Sequence, residues 1–162
     1  HTVDLARFIG GDVSEVQAFA AKGFNEGAPK GYTIEDASVV NLKFANGAVA
    51  NLWASCSANG GGGGVALEVF ANNLTAHFTG WEHSLKLQRK GLEPEEIKGE
   101  EAIFAIEDGA FIQAVRGADP SKVMCNYEDG LGTLTVTLAA NDSMRTGKVM
   151  RLPHAVKKAK KK

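Results

Sequence analysis

An Asn-Gly turn between two alternating runs constrains this chain more than any other feature. Glu35 to Phe44 precede Asn46-Gly47 and Ala48 to Ala54 follow, with apolar and polar residues alternating on both sides. A period of two places successive side chains on opposite faces of a strand, and Asn-Gly readily supplies the positive φ of a tight hairpin. Polarity then selects the register. A two-residue loop pairs Leu42 with Asn51 and Asn41 with Leu52, mixing polarity on both faces. A three-residue loop with Gly47 left-handed pairs Phe44 with Ala48, Leu42 with Ala50 and Val40 with Leu52, so that one face is wholly apolar. The second register is expected. Its other face carries Val39, Asn41, Lys43, Val49, Asn51 and Trp53, too apolar for plain solvent and too polar for a core, which points to a partner or a ligand.

The rest of the chain supplies layers for that hairpin. Apolar residues from Val3 to Ile9 followed by Gly10-Gly11 read as a helix with a glycine stop. Val13 to Ala21 reads as a first strand of imperfect alternation, and Gly23 to Gly31 as a loop. Beyond the glycine-rich stretch of Asn59 to Gly64, Val65 to Phe70 and Leu74 to Phe78 form a second hairpin about Asn72-Asn73. Ser84 to Arg89 is a further strand, and Gly91 to Gly99 a loop. From Glu100 the spacing turns helical, with Ile103, Phe104, Glu107, Phe111, Ala114 and Val115 near helical period, acids in the first turn and Gly117 and Pro120 as stops. A second helix opens at Asp129 with Leu131, Leu134, Leu138 and Ala139 as its apolar stripe, loosening at Asn141, Asp142 and Ser143. A short strand from Lys148 to Leu152 closes the chain ahead of Pro153. Hairpins dominate and no βαβ series appears. The expected fold is therefore α+β, a largely antiparallel open-faced sheet with helices on one face, occupying residues 1–156 as one domain before a lysine-rich tail at 157–162.

The obvious chemical motifs are missing. The glycine run lacks GxGxxG and Gly-Lys-Ser/Thr and precedes a strand, so it reads as a connection rather than a phosphate cradle. His1, His77, His83 and His154 show no metal-ligand spacing, so no metal is expected. Neither GxSxG nor an activated cysteine is present. Glu35-Asp36 and Glu93, Glu95 and Glu96 read as surface charge, because adjacent strand residues face opposite ways and the second group flanks Pro94.

With 18 basic and 19 acidic residues the formal charge is −1, and five lysines lie at Lys157, Lys158, Lys160, Lys161 and Lys162, leaving the body mildly acidic. Neither nucleic acid nor anionic membrane is the expected partner, and the tail reads as solvated. Cys56 and Cys125 read as reduced, small hydrophobes. The lack of a long apolar run or a leader-like start leaves the cytoplasm as the expected compartment.

Several segments, taken in order, resemble the C-terminal half of the Gfo/Idh/MocA (glucose-fructose oxidoreductase/inositol dehydrogenase) family. They are His1-Thr2-Val3-Asp4 with Arg7 and Gly10-Gly11-Asp12-Val13, Glu35 to Val39 leading to Phe44-Ala45-Asn46-Gly47-Ala48, Asp129-Gly130-Leu131, and Ala139-Ala140 with Ser143, Gly147 and Val149. The resemblance implies a substrate wall and an open sheet used for oligomerisation. It also implies NAD or NADP held by an N-terminal Rossmann domain that these residues do not contain. His1 matches the histidine that ends the family's DxGxH segment, which implies a catalytic acid-base role toward a sugar or polyol hydroxyl. Imidazole suits that role because its ordinary pKa, about 6.5, allows proton transfer in both directions near neutrality. The expected function is the substrate-binding and oligomerisation domain of an NAD(P)-dependent oxidoreductase, inactive by itself, binding no cofactor alone and forming a homo-oligomer through the sheet. The alternative is a free-standing, non-catalytic binding or scaffold protein that pairs through that sheet. A lipid or nucleic-acid module using the lysine tail is the third and weaker reading.

Overall fold

A computed structural model of the chain describes residues 1–23, 27–58 and 64–153. Most of the glycine-rich connection and the whole lysine tail lie outside them. The elements run α1 (Thr2–Gly10), β1 (Val13–Ala21), β2 (Ala37–Phe44), β3 (Val49–Ser55), β4 (Ala66–Ala71), β5 (Leu74–Thr79), β6 (Ser84–Arg89), β7 (Glu95–Ile97), α2 (Ile103–Val115), α3 (Tyr127–Thr146) and β8 (Met150–Arg151). Every strand pairing is antiparallel and the class is α+β, as expected. Among the described residues the strands divide between two four-stranded sheets in two compact units, the first from those within 1–58 and 125–153 and the second from 64–124.

In the first unit the sheet order is β3-β2-β1-β8. The hairpin adopts the three-residue-loop register, with Leu42 opposite Ala50 and Val40 opposite Leu52. Gly47 takes φ 92° and Phe44 N–H donates to the Ala48 carbonyl at 2.9 Å. Asn46 fixes the turn twice: its Oδ1 accepts from Ala48 N–H, and its Nδ2 donates to the Gly10 carbonyl, both at 3.0 Å. The apolar face of the sheet, Val13, Val16, Ala18, Leu42 and Phe44, packs against Ala6 of α1 and Val136, Ala139 and Ala140 of α3. Gly10 is required where α1 ends, because a Cβ there would collide with the Phe44 ring.

Helix α3 differs from its sequence reading at both ends and in the face it buries. It starts at Tyr127, because the Asn126 side chain accepts from Asp129 N–H and caps it. It continues unbroken through Asn141, Asp142 and Ser143 to a left-handed Gly147. Leu131, Leu134 and Leu138 are about half exposed, and the buried residues are Val136, Ala139, Ala140 and Ser143. The small side chains let the helix lie close to the sheet. Strand β8 covers β1 only at Glu15 and Val16, and beyond it Ser143 takes over: its Oγ accepts from Ala18 N–H at 2.9 Å and donates to the Lys148 carbonyl at 2.7 Å. A serine that looks like a helix-loosening residue is thus the polar link between helix, strand and closing loop.

The second unit has sheet order β4-β5-β6-β7. Cross-strand pairing gathers Leu67, Val69, Ala76, Phe78, Leu85 and Leu87 on one face, of which Ala76 is buried. Strand β7 forms inside the segment expected as loop. It follows Pro94, where a proline does no harm to an edge strand, and carries the pairs Glu95 with Arg89 and Glu96 with Lys86. Helix α2 starts at Ile103, later than the expected Glu100, so Glu100 and Glu101 precede its first turn instead of lying within it, and Glu100 Oε1 accepts from Ala102 N–H at 2.9 Å.

Replacing Ser143 with alanine strands the Ala18 donor and the Lys148 acceptor. The expected outcome is a loss of about 1–3 kcal/mol, the cost of leaving buried polar groups unpaired, read as a lower urea midpoint at unchanged m-value.

Candidate functional site

The densest polar cluster of the first unit lies where the N-terminal turns of α1 and α3 meet. Arg7, one turn before the end of α1, points its guanidinium at the first turns of α3. Its Nη1 donates to the Asp129 carbonyl at 2.9 Å and to Thr133 Oγ1 at 2.7 Å, and its Nη2 donates to Asp129 Oδ1 at 3.0 Å. Thr133 Oγ1 in turn donates to Asp4 Oδ1 at 2.7 Å. The glycine at 132 makes room for this fork, since a Cβ would stand 2.5 Å from Arg7 Nη2. An Arg fork fits because it makes several planar hydrogen bonds at once. Asp4 and Asp129 also sit in the first turns of their helices, where negative charge offsets the partial positive charge of the unpaired N–H groups.

Cys125 stands at the rim, its Sγ 3.9 Å from Asp4 Oδ1. Desolvation, with the carboxylates of Asp129 and Asp4 beside it, pushes its thiol above the ordinary range, and Arg7 offsets only part of this. It is a poor nucleophile at neutral pH. Asp4, Cys125 and Asp129 bring three ligand-type atoms within 4.8 Å of one another. The Arg7 guanidinium lies in the same place, 3.0 Å from Asp129 and 4.0 Å from Asp4. The positive charge these carboxylates call for is therefore supplied by the chain itself. Sequence spacing could not reveal this group, because Asp4 and Arg7 lie more than a hundred residues from Cys125 and Asp129.

His1 is the N-cap residue of α1, exposed, with its carbonyl accepting from Leu5 N–H at 2.9 Å and no capping bond from its side chain. It stands one turn ahead of Asp4, on the helix that Arg7 ties to α3. One reading of the acidic residues needs correction. Asp36, expected on the surface with Glu35, is buried at 2% exposure, and its carbonyl accepts from Cys56 N–H and from Ser55 and Ser57 hydroxyls. Cys56 and Cys125 are free thiols and both are exposed. His77 and His83 serve local hydrogen bonding. His77 Nδ1 lies 3.1 Å from Glu68 Oε1, and His83 Nδ1 lies 2.9 Å from the Trp81 carbonyl, so Nδ1 carries the His83 proton.

The outer face of the first sheet has its own order. Cross-strand pairing aligns Phe19, Val39 and Trp53 in one row, Gln17, Asn41 and Asn51 in the next, and Glu15, Lys43 and Val49 in a third. Phe19 and Trp53 are 58% and 72% exposed, a large apolar surface for one row. The polar rows pair internally: Asn51 Nδ2 donates to Asn41 Oδ1 at 2.8 Å, and Lys43 Nζ lies 3.2 Å from Glu15 Oε1. Above them is a shallow hollow of about 430 Å³. The sequence had found the contributions of β2 and β3; the place of Phe19 and Gln17 beside them came only with the register of β1.

The sequence has no GxGxxG, and among the described residues every strand pair is antiparallel, without the parallel strand-helix-strand crossover on which a pyrophosphate cradle depends. Among the described residues no helix is long and apolar enough to cross a membrane.

Comparison with known proteins places this geometry. Residues 1–77 match the family described as the GFO/IDH/MocA C-terminal domain. Among solved structures, an oxidoreductase domain protein from Kribbella flavida is similar with a TM-score of 0.79 at 22% identity, covering 94% of this chain and 48% of that one. An oxidoreductase from Agrobacterium radiobacter, solved with NAD+, L-tartaric acid and magnesium, gives 0.72 at 20% identity, covering 93% and 46%. An aldose-aldose oxidoreductase from Caulobacter crescentus, solved with glycerol, gives 0.73 at 20%, covering 93% and 45%. This chain therefore spans less than half the length of the structures it matches. No curated protein matches the sequence.

Arg7→Ala leaves two carboxylates facing each other, and the expected cost is about 1–3 kcal/mol in chemical denaturation; Arg7→Lys recovers only part, since an ammonium cannot reproduce the fork. Alkylation of Cys125 should accelerate with pH about a midpoint above that of an ordinary thiol, about 8.5. A midpoint at or below that value would contradict the electrostatic account.

Proposed function

We propose, from the match of residues 1–77 to the GFO/IDH/MocA C-terminal domain, that this chain is the substrate-binding and assembly part of an NAD(P)-dependent oxidoreductase acting on a sugar, polyol or related hydroxy compound. The observation that carries the reading is the family match together with His1 at the start of a helix locked in place by Arg7 and Asp129. A proton carrier must be held within hydrogen-bond reach of the hydroxyl it serves. The Arg7 fork holds the helix on which His1 stands, and the polar end of that helix forms the wall against which a hydroxylated substrate is placed. His1 is the acid-base group in this reading.

In this reading the cofactor is held by a nucleotide-binding domain of the longer protein. Redox chemistry depends on that placement. The open face of the first sheet, with Phe19, Val39, Val49 and Trp53 exposed, serves assembly with further copies of the chain. The similar structures from Kribbella flavida and Caulobacter crescentus are oxidoreductases, the second an aldose-aldose oxidoreductase, which supports this substrate class.

Titration of NADH into the 162-residue chain should give no binding. Reading the codons before His1 tests the rest: an open reading frame continuing into GxGxxG and a Glu-Lys-Pro motif is the expected result, and a start codon immediately before His1 would overturn it. In the longer protein, His1→Ala should lower kcat by about 10²-fold or more while leaving cofactor affinity unchanged.

A further inference from the structure

We propose that Asn46 is a conditional modification site. Its deamidation is blocked while the hairpin turn is fastened to the end of α1, proceeds when that helix lifts away, and then prevents the fastening from forming again. An Asn followed by Gly is open to this reaction because no Cβ at position 47 shields the backbone nitrogen that must reach the side-chain amide carbon. Gly47 N attacks Asn46 Cγ, a succinimide ring closes, and the Gly47 amide proton leaves with the side-chain nitrogen as ammonia. Water then opens the ring at either carbonyl, giving aspartate or isoaspartate at position 46. The reaction draws on water alone, with no oxidant or reductant.

The folded chain engages the groups that would react. The leaving nitrogen, Asn46 Nδ2, donates to the Gly10 carbonyl, and Asn46 Oδ1 accepts from Ala48 N–H, both at 3.0 Å. The attacking nitrogen holds its proton against the Phe44 carbonyl, also at 3.0 Å. Attack on Cγ first breaks these bonds. Two of them lie within the turn, and the third reaches α1, where it has company. Ala45 N–H donates to the Asp12 carbonyl at 2.7 Å, and the Phe44 ring fills the space that a Cβ at Gly10 would take. The end of α1 and the hairpin loop are thus one fastening, at the opposite end of the helix from His1, and Arg7 ties the same helix to α3. The fastening needs an amide. An ionised carboxylate only accepts hydrogen bonds, so aspartate at this position sets an acceptor against the Gly10 carbonyl where a donor stood. Isoaspartate also adds a methylene to the backbone of the loop that sets Leu42 opposite Ala50.

The test holds the 162-residue chain in mildly alkaline buffer and follows the peptide around Asn46 by mass spectrometry. Folded, Asn46 should deamidate many-fold more slowly than in the same buffer with urea, because the reaction runs only through molecules in which the fastening is open. Equal rates would overturn the protection. Arg7→Ala loosens α1, whereas Ser143→Ala weakens the separate junction of α3, β1 and the loop to β8. Compared under conditions that give the two variants equal global stability, Arg7→Ala should deamidate several-fold faster at Asn46. Equal rates there would mean that the site opens only by global unfolding, and would overturn the coupling to α1. Asn46→Asp makes one product directly. Trypsin should release the His1–Arg7 peptide from it several-fold faster than from the parent chain, with cleavage after Arg145 unchanged. Acceleration at both sites, or at neither, would overturn a loss confined to this fastening.

Discussion

The close approach of α3 to β1 determines most of the first unit. Ala139, Ala140 and Ser143 present a nearly flat surface to the sheet, and the Ser143 hydroxyl reaches Ala18 N–H where no strand continues β8. A larger side chain at any of these positions would lift the helix, and the hydroxyl would lose the strand. Buried backbone donors need partners. The same serine holds the loop that leads into β8 by accepting nothing further and donating to Lys148. One buried oxygen thus links three elements far apart in sequence.

Once α3 is fixed against β1, its N-terminal end lies beside that of α1. Two helix starts side by side concentrate unpaired N–H groups, and the chain answers with Asp4 and Asp129. Two carboxylates so close need a counter-charge, which Arg7 supplies through a fork to which Gly132 gives room. The arrangement holds the helix that begins at His1, and it also accounts for the raised Cys125 thiol. A cluster that on ligand atoms alone could suit a cation is, on charge, complete without one.

The two faces of the first sheet divide the work of the domain. The inner face is apolar along its length and makes the core with α1 and α3. The outer face is graded across three strands from aromatic to amide to charged. Its polar groups pair with each other rather than with water alone. A surface so arranged can be covered without leaving buried charges unpaired, which an ordinary solvent-facing sheet cannot.

The sequence by itself determined the hairpin: the register of β2 and β3, the left-handed Gly47 and the two-faced character of the strands all follow from the period of two and one Asn-Gly pair. It also determined the α+β class and the helix starts and stops to within a few residues, because caps and glycines act locally. Only the tertiary structure decided which side of α3 faces inward, that Asp36 is buried, that Phe19 and Gln17 extend the rows of the outer face, and that Arg7 meets Asp129. The leucine stripe of α3 is as regular as the stripe of small residues, so periodicity could not choose between them. The choice was made by how closely a helix can approach a strand that still lacks a hydrogen-bond partner, a condition set by residues more than a hundred positions apart.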